Sequence, residues 1–170
     1  MSGPSRRTSP DSTPAAGAPE FGSALQPLSQ DVGFRLGRAH RHLRASWERA
    51  IADLGVTAPQ AAALRAAVAQ PGQALRGLAR VLGTDPMNAR RLAIDLERLN
   101  LVEVRTSVRD RRTKGVWPTE LGTTLAEELS RRARARRRSL ERELGTAAYR
   151  QLEELLEQLL ATDALGDRTP

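Results

Sequence analysis

Six consecutive residues, Arg109-Asp110-Arg111-Arg112-Thr113-Lys114, carry four cations around one carboxylate. They lie between two short β-like runs, Leu101-Val102-Glu103-Val104-Arg105 and Gly115-Val116-Trp117. A hairpin tip so charged repels itself unless a polyanion meets it. Guanidinium groups suit phosphate and groove edges, because their planar donors make paired hydrogen bonds. Upstream, Asp85-Pro86-Met87-Asn88-Ala89-Arg90-Arg91 reads as a helix start that offers hydrogen-bonding side chains close to exposed backbone amides. A helix followed by a charged hairpin is the order of a winged helix-turn-helix, with one element for the major groove and one for the backbone and minor groove. The chemistry expected is therefore recognition of double-stranded DNA, and the chain is not expected to be an enzyme.

No catalytic set competes with that reading. His40 and His42 are the only histidines, and a spacing of two turns them to different faces of a helix, so no metal site is expected. Glu153 and Glu154 form the wet side of a Leu-rich helix. There is no cysteine, which excludes disulfides, thiolate metal sites and cysteine redox sensing. No Gly-rich phosphate loop occurs, and no cofactor is expected. The net charge of +7 favours an acidic partner, and every basic residue except Lys114 is arginine. No apolar run approaches the roughly 18 residues of a membrane span, so no membrane partner is expected. The localisation expected is cytoplasmic, at the nucleoid.

The elements that must position these residues read as mainly α. Residues 1–28, rich in Pro, Ser, Gly and Ala, form an expected disordered arm, and residues 166–170 a tail. Val32, Leu36, Leu43, Trp47, Ile51 and Leu54 make one apolar stripe on a helix over about 31–54, ended by Gly55. Thr57 and Pro59 open a second, Ala-rich helix that stops at Pro71-Gly72. A short third helix spans Leu75 to Leu82, and Gly83 closes it. In the fourth, capped by Asp85, the residues Ala89, Leu92, Ala93, Leu96 and Leu99 share one face. Met87, Arg91 and Arg98 point the other way, flanked by Asn88 and Arg90. After the hairpin, Thr119 caps a long helix with Leu121, Leu125, Ala126 and Leu129 inward, which then enters the run Arg131–Arg138. That run reads either as a solvated, ion-paired face or as an auxiliary DNA contact. Gly145 separates a last helix carrying Leu152, Leu155, Leu156, Leu159 and Leu160. Leu-rich helices at both ends of so small a reading head are covered most simply by a second copy of the chain, and a homodimer would match a pseudo-palindromic operator.

The chain resembles the MarR family (multiple antibiotic resistance regulators) from about residue 31 to 162. The resemblance is carried by Leu54-Gly55-Val56-Thr57-Ala58-Pro59-Gln60, by Leu78-Ala79-Arg80-Val81-Leu82-Gly83 and by Leu96-Glu97-Arg98-Leu99-Asn100-Leu101-Val102. Arg109-Asp110-Arg111-Arg112 and Thr119-Glu120-Leu121-Gly122 complete it. It implies a MarR-type domain over 29–165. Within it, the winged helix-turn-helix would span about 56–118, flanked by long N- and C-terminal dimerisation helices at about 31–54 and 119–162. It also implies a transcriptional regulator, a repressor more often than an activator, released by a small anionic, often aromatic, ligand.

Carried over by position, the resemblance makes Asp85, Met87, Asn88, Arg90 and Arg91 the recognition-helix contacts. Arg109, Asp110, Arg111, Arg112 and Lys114 become the wing. Arg112 would enter the minor groove, oriented by Asp110, with Arg111 as a phosphate or secondary contact. Arg38, His40, Arg41, Arg44 and Trp47 would line a ligand crevice, although each also reads as an ordinary surface or core residue. The chain departs from the family at Gly77, which should soften the first helix of the motif, and at Asn100 and Pro118. It departs also at Pro86 and Ala89, and on account of these two the sequence read in the groove is expected to be unusual. Asn100 takes a glycine position, tolerable because Asn also visits left-handed backbone. The competing readings are an architectural protein that binds any nucleic-acid duplex alike, a winged helix used for protein contact, and a regulator without an effector.

Overall fold

The computed structural model describes residues 31–106 and 114–162. The expected arm and tail lie outside the described residues. The chain divides into two units, residues 1–43 and 44–170. The division falls within α1 (Val32–Ala50), whose first turn is tied by the Asp31 carboxylate accepting from Phe34 N at 2.7 Å.

The second unit follows in chain order. A 3-10 turn at Ala52–Leu54 leads into α2 (Ala58–Ala69), β1 (Gln73–Ala74), α3 (Leu75–Leu82) and α4 (Pro86–Arg98). Then come β2 (Val102–Thr106), β3 (Lys114–Pro118), α5 (Glu120–Leu144) and α6 (Thr146–Ala161). Local chemistry starts the helices where the sequence implied. Thr57 and Gln60 form a reciprocal capping box on α2, with bonds of 3.4 and 2.9 Å. Asp85 caps α4 through Asn88 N at 2.8 Å, with Pro86 in the first turn, and Thr119 caps α5 through Gly122 N at 2.9 Å. The turn after α4 passes through Asn100 at φ 59°, where this residue type tolerates left-handed backbone.

α1 stops a turn before the expected Leu54. Ile51 leaves helical geometry at φ −119°, ψ 8°, and the chain reverses through Gly55 at φ 69°. The open carbonyl of Ala50 is taken by Arg132 Nη1, 2.7 Å away and 82 residues on. A second difference is the sheet, which has three strands in the order β1-β3-β2, all antiparallel, where two were expected. β1 pairs Gln73 with Val116 and Ala74 with Gly115, and Gly72 N donates to Val116 O at 2.8 Å. The Trp117 ring covers this corner so closely that a Cβ at Gly72 would sit 2.8 Å from it.

The core lies inside the second unit, where Ile51, Leu64, Leu78, Leu96, Leu129, Val102 and Val116 are fully buried. Two residues expected to face it do not. Leu99 caps the end of α4 and is exposed, and Leu101, after the turn, takes the buried place. Leu121 points outward because Gly122 occupies the core-facing position against the Leu101 carbonyl. The stripe on α1 is likewise covered only at its end. Ile51 is buried and Trp47 and Leu54 pack on the core, whereas Val32, Leu36 and Leu43 are exposed. No residue of α6 is buried, and Leu155 and Leu160 are 54% and 80% exposed.

Candidate nucleic-acid interface

α4 is held by one face and open on the other. Ala89, Leu92, Ala93 and Leu96 are buried against the core. Glu97 Oε1 accepts from Val104 N at 2.9 Å, which fixes the base of the β2–β3 hairpin to the end of α4. The outward side forms a groove of about 680 Å³ lined by Met87, Asn88, Arg90, Arg91, Ile94 and Arg98 together with the carboxylates Asp85 and Asp95. Arg98 leans on Asp95 at 3.6 Å.

The polar side chains of the first turn are already engaged with one another. Asn88 Nδ2 donates to Thr84 Oγ1 at 2.7 Å, and Asn88 Oδ1 accepts from Arg91 Nη2 at 2.9 Å. The Asp85 carboxylate is occupied as the cap. Met87, by contrast, is 82% exposed, and Arg90 is exposed on the same side. A helix N-terminus, three arginines and one apolar side chain thus share a face that can meet a polyanion with both charge and shape.

Of the expected wing, Lys114 is described, exposed at the start of β3 opposite Thr106. Arg109, Asp110, Arg111 and Arg112 lie outside the described residues. The hairpin that leads to them is regular, with Val104 opposite Val116 and Arg105 opposite Gly115. On its outer edge Arg105 is paired with Glu103.

The expected ligand-crevice residues all stand on α1. Arg38, His40 and Arg41 are exposed in the first unit's stretch of it. In the second unit's stretch Arg44 pairs with Glu48 at 3.7 Å, and Trp47 is half-buried against the core. A crevice that the sequence did not suggest lies between α2 and α5. It has a volume of about 800 Å³ and is lined by Arg65, Val68, Thr124, Glu127, Arg131 and Arg134, with Arg65 Nε donating to Ser130 Oγ at 3.2 Å.

The arginine run of α5 is largely structural. Arg131 pairs with Glu128. Arg132 spans Glu128 at 2.6 Å and Asp53 at 2.8 Å while capping α1. Arg136 donates to Ser46 Oγ at 2.8 Å. Arg137 reaches Glu153 at 3.1 Å and lies 5.5 Å over the Tyr149 ring, linking α5 to α6. The hydrogen bond from Arg132 holds the Asp53 carboxyl below its ordinary value, and Arg132 and then Arg131 do the same for Glu128. Among the described residues, no cluster of three or more potential metal ligands forms, and no helix is long and apolar enough to cross a membrane.

No protein-family profile matches the chain, and no curated protein does either. Solved structures do. The chain is similar to BpsR of Bordetella bronchiseptica, whose DNA binding is regulated by 6-hydroxynicotinic acid, at 26% identity and TM-score 0.74 over 86% of this chain and all of that one. It is similar to CouR of Rhodococcus jostii RHA1 bound to p-coumaroyl-CoA, at 27% identity and TM-score 0.70 over 79% of this chain and 94% of that one. The repressor CouR on a 23-mer DNA duplex also matches, at TM-score 0.69. A MarR-family transcriptional regulator from Rhodococcus sp. RHA1 matches at 26% identity and TM-score 0.71, over 79% of this chain and 96% of that one. With α4 capped by Asp85, the hairpin fixed to its end and the long flanking helices, this chain carries the winged helix-turn-helix fold of the MarR-family transcriptional regulators.

Proposed function

We propose that the chain is a sequence-specific repressor that binds a pseudo-palindromic DNA duplex as a homodimer. In this reading α4 lies in the major groove, with Asp85, Met87, Asn88, Arg90 and Arg91 at its entrance. Arg109, Asp110, Arg111, Arg112 and Lys114 place the wing on the backbone and in the minor groove. One observation carries the reading: α4 buries Ala89, Leu92, Ala93 and Leu96 while turning Met87, Arg90, Arg91 and Arg98 to one outward groove. An ordinary surface helix has no need of a hairpin anchored to its end by Glu97.

The uncovered leucines of α6, and separately Val32, Leu36 and Leu43 of α1, support a second copy of the chain as their cover. Such exposed apolar faces mark association surfaces. Release by a small anionic ligand is supported by likeness to BpsR and CouR, and by Arg38, Arg41 and Arg44 on one exposed helix. The test is selection of bound fragments from genomic DNA, followed by competition with random duplex. A regulator of this kind enriches a common sequence and keeps it against excess competitor. An architectural binder enriches none, and competitor displaces it fully with a steep salt slope.

A further inference from the structure

Met87 is the most exposed large apolar side chain among the described residues, at 82%, and it sits in the first turn of α4, one turn before Arg90 and Arg91. A lone exposed methionine elsewhere would need no explanation. Here its neighbours define what it can meet. The side chain best suited to a bidentate adenine contact is Asn88, yet its amide is already oriented by one bond at each end, to Thr84 at 2.7 Å and from Arg91 at 2.9 Å, which leaves one donor and one lone pair. Asp85 is held as the helix cap. Met87 has no such engagement, and in the major groove the apolar group that B-DNA offers to such a side chain is the thymine C5-methyl. Arg90 and Arg91 one turn on, and Arg98 further along the same groove, supply the charge that draws the duplex onto this face.

We propose that Met87 is a specificity-determining residue that reads one thymine methyl in each half-site. The proposal rests on α4 being the reading helix. Its thioether chain packs on the methyl, while the Thr84–Asn88–Arg91 chain of hydrogen bonds keeps the first turn rigid. Because Met87 touches little in the free protein, Met87→Ala leaves the fold intact, which a thermal melt checks.

The experiment uses the full chain and a duplex chosen by selection, in which each thymine is replaced singly by deoxyuridine, so that only the methyl is lost. Titrations at fixed salt are expected to show one position per half-site where the unmodified protein binds about fourfold more weakly, the worth of one buried methyl. Met87→Ala should bind the thymine duplex more weakly and show no further loss on the deoxyuridine duplex. If a selected sequence is footprinted, but no substitution separates Met87→Ala from the unmodified protein, this inference is overturned while the reading of α4 stands. If selection enriches nothing, both fall together.

Discussion

Among the described glycines, Gly122 of α5 has the least room for a side chain, because it lies against the turn between α4 and β2. A Cβ on Gly122 would lie 1.9 Å from the Leu101 carbonyl oxygen and 2.9 Å from its carbon, both backbone atoms. Even weak carbon–oxygen contacts settle near 3.3 Å or beyond, so Gly122→Ala must push α5 from the α4–β2 turn by about 1 Å or more. That turn is held by Thr119 N to Leu101 O at 3.1 Å and by Thr119 Oγ1 to Asn100 O at 2.8 Å. Overpacking of this kind costs about 1–3 kcal/mol, and disturbing the Thr119 cap costs about 1 kcal/mol more. Alanine's better helix propensity returns about 1 kcal/mol. The net expectation is a loss of about 2 kcal/mol, or roughly 4–8 °C in Tm for a chain of this size.

Gly77→Ala is the control. It too lies inside a helix, but its nearest neighbour would be Gln73 Oε1 at 3.8 Å, and it should raise stability by about 0.5–1 kcal/mol. Thermal and urea unfolding at one protein concentration measure both variants. A Gly122→Ala protein as stable as Gly77→Ala would refute the close approach and, with it, the way the turn between α4 and β2 is docked on α5.

Arg112→Ala should weaken binding to a selected site by about 1–3 kcal/mol, as removal of a specific groove contact does, and Arg134→Ala by far less. Titration at fixed salt gives the ranking, and a reversed order would move the interface to α5. Arg132→Ala should lower Tm more than Arg131→Ala, because only Arg132 joins α5 to Asp53 and the end of α1. Asp53 and Glu128 have folded-state values below their ordinary 3.8 and 4.5, so their stabilisation is present above those values and lost as pH falls through the depressed ones. A melt series from pH 6 down to about pH 2 should therefore show an acid-side fall in Tm that is shallower in Arg132→Ala. An anionic aromatic effector should raise Tm and lower DNA occupancy, and a tenfold release needs a coupling of about 1.4 kcal/mol. If it binds along α1, Arg44→Ala abolishes the shift. If Arg134→Ala does so instead, the crevice between α2 and α5 is the site, and if no salicylate-like acid or phenol shifts Tm, the effector reading fails.

What was legible in the sequence was set by short-range chemistry. Thr57, Asp85 and Thr119 start helices because each oxygen reaches an amide three residues on, and that spacing is visible in a chain of letters. The exposed side of α4, with Met87, Arg90 and Arg91, follows from helical periodicity alone. What was not legible depended on partners distant in sequence. β1 is two residues with no alternation, and it exists because β3 offers Val116 and Gly115 as partners. Asp53 gave no sign of holding Arg132, 79 residues away, so the arginine run could be read from local spacing only as ion-paired or DNA-binding. Leu121 and Leu99 matched an apolar period, but Gly122 and Leu101 fill the core-facing places beside them. The engagement of Asn88 by both Thr84 and Arg91 concerns side-chain rotamers, which the sequence does not specify.

The most direct test of the central claim is a footprint of the full chain on a selected genomic fragment, with the stoichiometry of the same complex measured by sedimentation. Two chains per duplex should protect a pseudo-palindrome whose half-sites are centred about 10 base pairs apart. Protection spread evenly along the fragment, or one chain per duplex, would contradict it.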